Sequence, residues 1–185
     1  MSEKKRFLTK AEIGRFLEAA RKTRNGIRDY CLMLMAFRHG LRVSEAVDIR
    51  MDELDLDGAR LYVRRLKNSL STSHPIEGDE LRAIKRWLRH RSAHGMADSP
   101  YLFLSVRGTF CRQAINYLCQ TIGKRAGLGF KVTPHMLRHS CGFALADANT
   151  ATRTIQDYLG HKNIAHTVRY TATNAGRFDG LWRKA

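Results

Sequence analysis

The stretch "YLGHKNIAHTVRYT", Tyr158 to Thr171, sets a tyrosine, Tyr170, directly after Arg169 and nine residues beyond His161. A tyrosine is ordinarily a core residue with a polar tip. Held among cationic and imidazole groups, its hydroxyl could instead be a nucleophile aimed at an anion. Residues of matching chemistry lie upstream. "HGLRVSE" puts Arg42 just after a glycine turn, with Glu45 one helical step on. "RRLKNSLS" puts Lys67 at a hairpin tip, and the run Arg64-Arg65-Lys67 reads as a set of backbone-phosphate contacts. "TPHMLRHS" places His135 and Arg138 on one helix face, near a helix N-terminus that itself attracts phosphate. His139 points elsewhere and reads as a hydrogen-bonded core residue. His161 is presented from the turn at Gly160.

Taken singly, each residue has a plainer reading: a paired surface arginine, a solubilising lysine, a packed tyrosine. Taken together they form a cationic set with proton donors and one hydroxyl nucleophile. It offers no paired carboxylates for a metal, so it suits phosphoryl transfer without an ion or cofactor. Arginines can fork onto the two non-bridging oxygens of a phosphodiester. There they would stabilise the pentacoordinate state, where negative charge accumulates.

The elements that must position these residues are mostly helices. "FLTKAEIGRFLEAARK" opens one, with Thr9 and Glu12 at capping-box spacing. "GIRDYCLMLMAFRHG" is a longer apolar helix, and Gly40 suits its left-handed end. "LRVSEAVDI" re-enters helix. "ELDLDGARLYVRR" shifts to period two and reads as strand, Asp57-Gly58 turn, strand, with "STSHPI" as a third strand beyond a turn near Lys67-Asn68. "GDELRAIKRWLRHR" and "FCRQAINYLCQTIGKRAG" are helices, and "YLFLS" between them is a short extended piece. "TPHMLRHSCGFALAD" is a helix with Thr133 as N-cap and Pro134 at its first position. Short helices fill "TRTIQDYLG", "NIAHTVRYT" and "GRFDGLW". The expected class is mainly α with one small three-stranded antiparallel sheet near residues 51–76.

A length of 185 residues fits one domain, or at most two small ones, and 43% hydrophobic residues can build a core. The formal charge of +16 opposes compaction unless a polyanion offsets it. Nucleic acid is the leading partner and an anionic membrane surface the second. No apolar run approaches a spanning helix, and "MSEKKRFLTK" lacks the apolar run of a signal peptide, so a cytoplasmic, nucleoid-associated protein is expected. Cys31, Cys111, Cys119 and Cys141 are far apart and read as free, buried thiols, with zinc ligation the weaker alternative.

"GLRVSE", "PHMLRHS", "YLGHKNIAHTVRY" and the lysine of "RLKNS" resemble the tyrosine recombinases, which include phage integrases and the Xer enzymes. The likeness is tightest to the fimbrial-switch invertases of enteric bacteria and runs from "FLTKAEI" to "FDGLW". It implies the catalytic-domain fold of that family, and a site-specific recombinase that needs neither cofactor nor ATP. By resemblance Tyr170 is the nucleophile that forms a 3′-phosphotyrosine. Arg42, Arg138 and His161 hold the scissile phosphate. Lys67 is the general acid for the leaving 5′-oxygen, His135 assists proton transfer at Tyr170, Glu45 supports Arg42, and His139 is structural. The implied partners are double-stranded DNA with inverted-repeat sites, three further copies forming a tetramer on synapsed DNA, and accessory DNA-bending proteins. The implied outcome is strand exchange through a four-way junction that inverts a promoter-bearing segment. Typical family members add an N-terminal DNA-binding domain; residues 1–185 are expected to be the catalytic domain without it. The rival readings are a non-cutting DNA-binding regulator of the same fold and a topoisomerase-like nicking enzyme. A third, a histidine-based metal enzyme, lacks acidic ligands near its histidines.

Overall fold

The computed structural model describes residues 5–65, 70–93, 95–105 and 108–172. Helix α1 (Lys10–Arg21) begins with the expected reciprocal cap: Glu12 N–H donates to Thr9 Oγ1 at 3.4 Å, and Thr9 N–H to Glu12 Oε2 at 2.8 Å. Helix α2 (Gly26–Arg38) is apolar all round from Cys31 to Phe37 because that part runs through the middle of the molecule. Its residues Cys31 to Ala36 are all buried between α1, helix α4 (Gly78–Ala93) and helix α6 (Pro134–Asp147). Each large side chain fully buried there contributes about 1.5–3 kcal/mol relative to exposure. The main core gathers Phe16, Leu32, Met33, Ile84, Phe103 and Ile122.

Gly40 ends α2 at φ +55°, in the left-handed region. A Cβ at Gly40 would stand 2.4 Å from Leu159 Cδ2, so only glycine lets the end of α2 meet the end of helix α7 (Thr152–Leu159). Short helix α3 (Val43–Val47) follows at once, then a 3-10 turn at Met51–Glu53. Strands β1 (Leu54–Asp55), β2 (Arg60–Val63) and β3 (Thr72–Pro75) form an antiparallel sheet in the order β1-β2-β3, with Leu61 opposite His74. The β1–β2 turn places Ala59 at φ +48°. Gly58 N–H donates to Asp55 Oδ1 at 2.8 Å, closing the loop. The turn expected near Lys67-Asn68 lies outside the described residues.

Two expectations need correction. The sheet of "STSHPI" is not alone: β4 (Leu104–Ser105) and β5 (Gly108–Thr109) pair antiparallel as a separate two-stranded sheet after "YLF". Strands of two residues are too short for alternation to show in a sequence. The cysteines are all free, and Cys31, Cys119 and Cys141 are buried, but Cys111 is exposed. It occupies the N-cap of helix α5 (Arg112–Arg125), where a residue stands at the mouth of the helix rather than on its packed face.

Helix α6 starts as expected, with Thr133 Oγ1 accepting from Met136 N–H at 3.4 Å and Pro134 in the first turn. Helices α6, α7 and α8 (Ala165–Ala172) pack on one another around a second, smaller core of Cys141, Ala146, Ile155, Leu159 and Tyr170. The helix expected at "GRFDGLW" lies outside the described residues. Among those described, no helix is long and apolar enough to cross a membrane.

Candidate active site

The site is built where two helices end. Helix α2 stops at Gly40 and α7 stops at Gly160, which is also left-handed at φ +63°. The last carbonyls of a helix have no partner within it and carry the negative end of its dipole. Three arginines supply the missing donors. Arg65 Nη2 donates to Tyr158 O at 2.6 Å, Arg138 Nη2 to Leu159 O at 2.5 Å, and Arg42 Nη2 to Gly160 O at 3.4 Å. These are three consecutive carbonyls at the end of α7. Two of the arginines also reach the end of α2: Arg65 Nη2 donates to His39 O at 3.2 Å and Arg138 Nη1 to Gly40 O.

Glu45 ties the fan together. Arg42 Nη1 is 2.6 Å from its Oε1 and Arg65 Nη1 2.6 Å from its Oε2. The same carboxylate accepts the Arg42 backbone N–H at 2.8 Å, which caps α3. Burial would push the Glu45 carboxyl up, but Arg65 and Arg42 together outweigh it and hold it below the usual carboxylate range. Arg138 is 3% exposed, and burial, with Arg65 and Arg42 beside it, brings its pKa down to about 10. It stays charged at neutral pH.

Tyr170 projects from α8 into this region and is 1% exposed. Its hydroxyl is 2.8 Å from Nδ1 of His139. Its ring lies roughly parallel to that of His161, centroids 6.2 Å apart, and meets Phe143 edge-on. Gly142 makes room for it: a Cβ there would stand 2.6 Å from Tyr170 Cε2. Burial raises the phenol pKa, and Arg138 and Arg169 oppose the rise. His161 follows the Gly160 turn, half-buried, with Nδ1 2.9 Å from Thr167 Oγ1. Burial, Arg138 and Arg42 depress its pKa to about 3. Burial and His135 likewise bring His139 to about 4. Both imidazoles are therefore neutral at pH 7 in the free protein, so the His139 ring can accept the Tyr170 O–H.

The structure thus brings Arg42, Arg138, His161 and Tyr170 together as their spacing suggests. His135 is next to this group: its ring meets His139 edge-on, centroids 4.3 Å apart, and it does not hold the Tyr170 hydroxyl. His139, read as a core histidine, is buried and hydrogen-bonded, but its partner is the candidate nucleophile itself. Lys67 lies outside the described residues. In the run Arg64-Arg65-Lys67, the reading as a phosphate contact fails for Arg65, whereas Arg64 is exposed. Arg65 is buried among Glu45 and two carbonyls, and Arg64 Nε is paired with Glu53 at 3.1 Å. The signal for Arg65 was in the alternation of β2, where Leu61 and Val63 face inward and Arg65 continues that side.

A basin of about 800 Å³ opens beside His135 and His139, with Lys5, Arg6, Lys131 and Arg169 around it. Its four cationic side chains suit a polyanion that approaches the Tyr170 side of the site.

A family model described as the phage integrase family matches residues 6–177. The chain is 48% identical over 185 residues to the type 1 fimbriae regulatory protein FimB of Escherichia coli K12, covering 100% of this chain and 92% of that one. It is 47% identical over 183 residues to the type 1 fimbriae regulatory protein FimE of the same strain, covering 98% and 92%. A crystal structure of XerA recombinase superposes with a TM-score of 0.83 at 28% identity, over 100% of this chain and 66% of that one. A mostly helical chain, a small antiparallel sheet and arginines converging beside a buried tyrosine accompany these likenesses, and the chain belongs to the phage integrase family of tyrosine recombinases.

Proposed function

We propose that this protein cuts and rejoins DNA at specific sites through Tyr170, within a single catalytic domain. The observation that carries this reading is the arginine fan beside a tyrosine whose hydroxyl already touches a neutral imidazole. Arg42 and Arg138 are held by carbonyls and a carboxylate, so their orientation is set before a phosphate arrives. They and His161 would take the non-bridging oxygens of the scissile phosphate. Tyr170 would attack phosphorus, giving a 3′-phosphotyrosine and a free 5′-hydroxyl, with its proton passing first to His139. His135, at the rim of the basin, would complete the proton path. Lys67 would protonate the leaving 5′-oxygen, since an alkoxide leaves poorly at neutral pH. The phosphodiester energy is conserved in the phosphotyrosine, so ATP is not needed.

Tyr170 is 1% exposed, so attack on a duplex requires its hydroxyl to be uncovered when DNA binds. The likeness to two fimbrial regulators over nearly their whole length favours inversion of a promoter-bearing segment that controls surface fibres. That outcome needs two inverted-repeat sites, four subunits and a four-way junction, with accessory DNA-bending proteins helping synapsis.

The test is to incubate the protein with genomic DNA of its host, denature, and map covalent protein–DNA junctions. Adducts are expected at inverted repeats, joined to Tyr170 and absent in Tyr170→Phe with DNA affinity within a few-fold. Adducts that persist in the variant, or that map to Tyr158, overturn the assignment. DNA retention without any adduct identifies a non-cutting regulator instead.

A further inference from the structure

We infer that Arg65, a residue with no direct path to the phosphate, sets the geometry of the catalytic cations; the inference rests on the cleavage reading above. Its side chain is fully buried and reaches three separate elements. One terminal nitrogen holds Glu45 Oε2 at 2.6 Å, and the other holds His39 O at 3.2 Å and Tyr158 O at 2.6 Å. Its stem fills the floor of the Gly160 turn, where an added Cβ would fall 3.1 Å from Arg65 Cγ.

Each of these attachments leads to a member of the proposed site. Glu45 carries Arg42 on its other oxygen, so Arg65 fixes the carboxylate on which the Arg42 guanidinium is oriented. Tyr158 O and the Gly160 turn lead directly into His161. His39 O adjoins Gly40 O, which Arg138 uses.

The alternative is an arginine that only stabilises the fold. Burial lowers its pKa, and Glu45 opposes that, as any buried ion pair would show. Its Nε has no hydrogen-bond partner, which is a cost to stability. An arginine selected for stability alone would be replaced at little loss by an apolar side chain. A planar fork that spans a carboxylate and two carbonyls is instead suited to holding three elements in one register, which an ammonium cannot copy. Arg65 is thus a positioning residue, acting on the phosphate through Arg42 and His161.

The experiment uses a nicked duplex bearing the cleavage site mapped for the unmutated protein, under single-turnover conditions at saturating DNA. A second duplex carries a methylphosphonate at the scissile position, which removes the charge that Arg42 would neutralise. Arg65→Lys is expected to slow covalent attachment to normal DNA by on the order of a hundredfold, the scale of a catalytic group displaced by about 1 Å. Its DNA affinity should stay within a few-fold. On methylphosphonate DNA the deficit should shrink to about tenfold or less, because a misplaced cation matters less to a neutral phosphorus centre. A purely structural loss would be the same on both substrates and overturns the inference, as does an unimpaired Arg65→Lys. If Arg65→Lys does not fold, Glu45→Gln takes its place. It weakens the shared anchor while leaving both carbonyl bonds of Arg65, and it must show the same substrate-dependent deficit. Absence of any Tyr170-dependent adduct in the unmutated protein overturns the cleavage reading and this inference together; normal cleavage by the variants overturns this inference alone.

Discussion

At the residue scale, the two histidines of "PHMLRHS" make the sharpest contrast. His139 Nδ1 touches the Tyr170 hydroxyl at 2.8 Å and His135 does not. If His139 is the first proton acceptor, His139→Ala should lower the rate of covalent attachment by roughly a hundredfold or more, within the usual range for a positioned base. His135→Ala should lower it less, and the rate of each variant against pH would rank them. The reverse ranking would return the proton-transfer role to His135. The same groups set a stability profile. His161 and His139 have folded pKa values of about 3 and about 4, against 6.5 for a free histidine. Between those values the unfolded chain binds more protons than the folded one, so stability falls as pH drops from about 6.5 toward 4. Thermal unfolding of the DNA-free protein across that range should show the fall, and His161→Gln should flatten part of it.

Element by element, some parts were legible in the sequence and others were not, for identifiable reasons. The cap at Thr9, the proline start of α6 and the glycine ends of α2 and α7 are local signals, written within a few residues, and all four stand. The arginine fan is not local. Arg42, Arg65 and Arg138 find their carbonyl partners at Gly160, Tyr158 and Leu159, across 118, 93 and 21 residues. Spacing alone named two of the three; the third looked like surface because a basic run resembles a phosphate contact until its strand face is counted. Gly142 was likewise invisible, since nothing nearby in sequence predicts that a tyrosine ring will lie over it. It gives a direct prediction for α6 against α8. Gly142→Ala puts a methyl 2.6 Å from the Tyr170 ring, which must move away from His139. A loss of about 1–3 kcal/mol in unfolding free energy is expected from overpacking, together with a severe loss of covalent attachment. A variant as stable and as active as the unmutated protein would show that the ring has room to spare.

For the whole molecule, charge is the dominant property. A formal charge of +16 with a cationic basin beside the candidate nucleophile predicts DNA binding through counterion release. The logarithm of the binding constant should fall linearly with the logarithm of salt, with a slope of about −0.9 for each phosphate neutralised. Fluorescence anisotropy between low and moderate salt would give the number of contacts. A nearly flat response would remove DNA as the main partner.

The same long-range bonds govern when the protein can become active. Arg65 and Arg138 are satisfied by the last carbonyls of α7, and Tyr170 comes after them on α8. On the ribosome, Arg42 is made 170 − 42 = 128 residues before Tyr170. At the usual speed of synthesis that gap is roughly 6–26 seconds. Until Tyr158 to Gly160 and then Tyr170 are made, the nascent chain lacks first the α7 carbonyls that orient the arginines and then the proposed nucleophile. A chain truncated within that interval is expected to form no covalent adduct with DNA, because it ends before the proposed nucleophile.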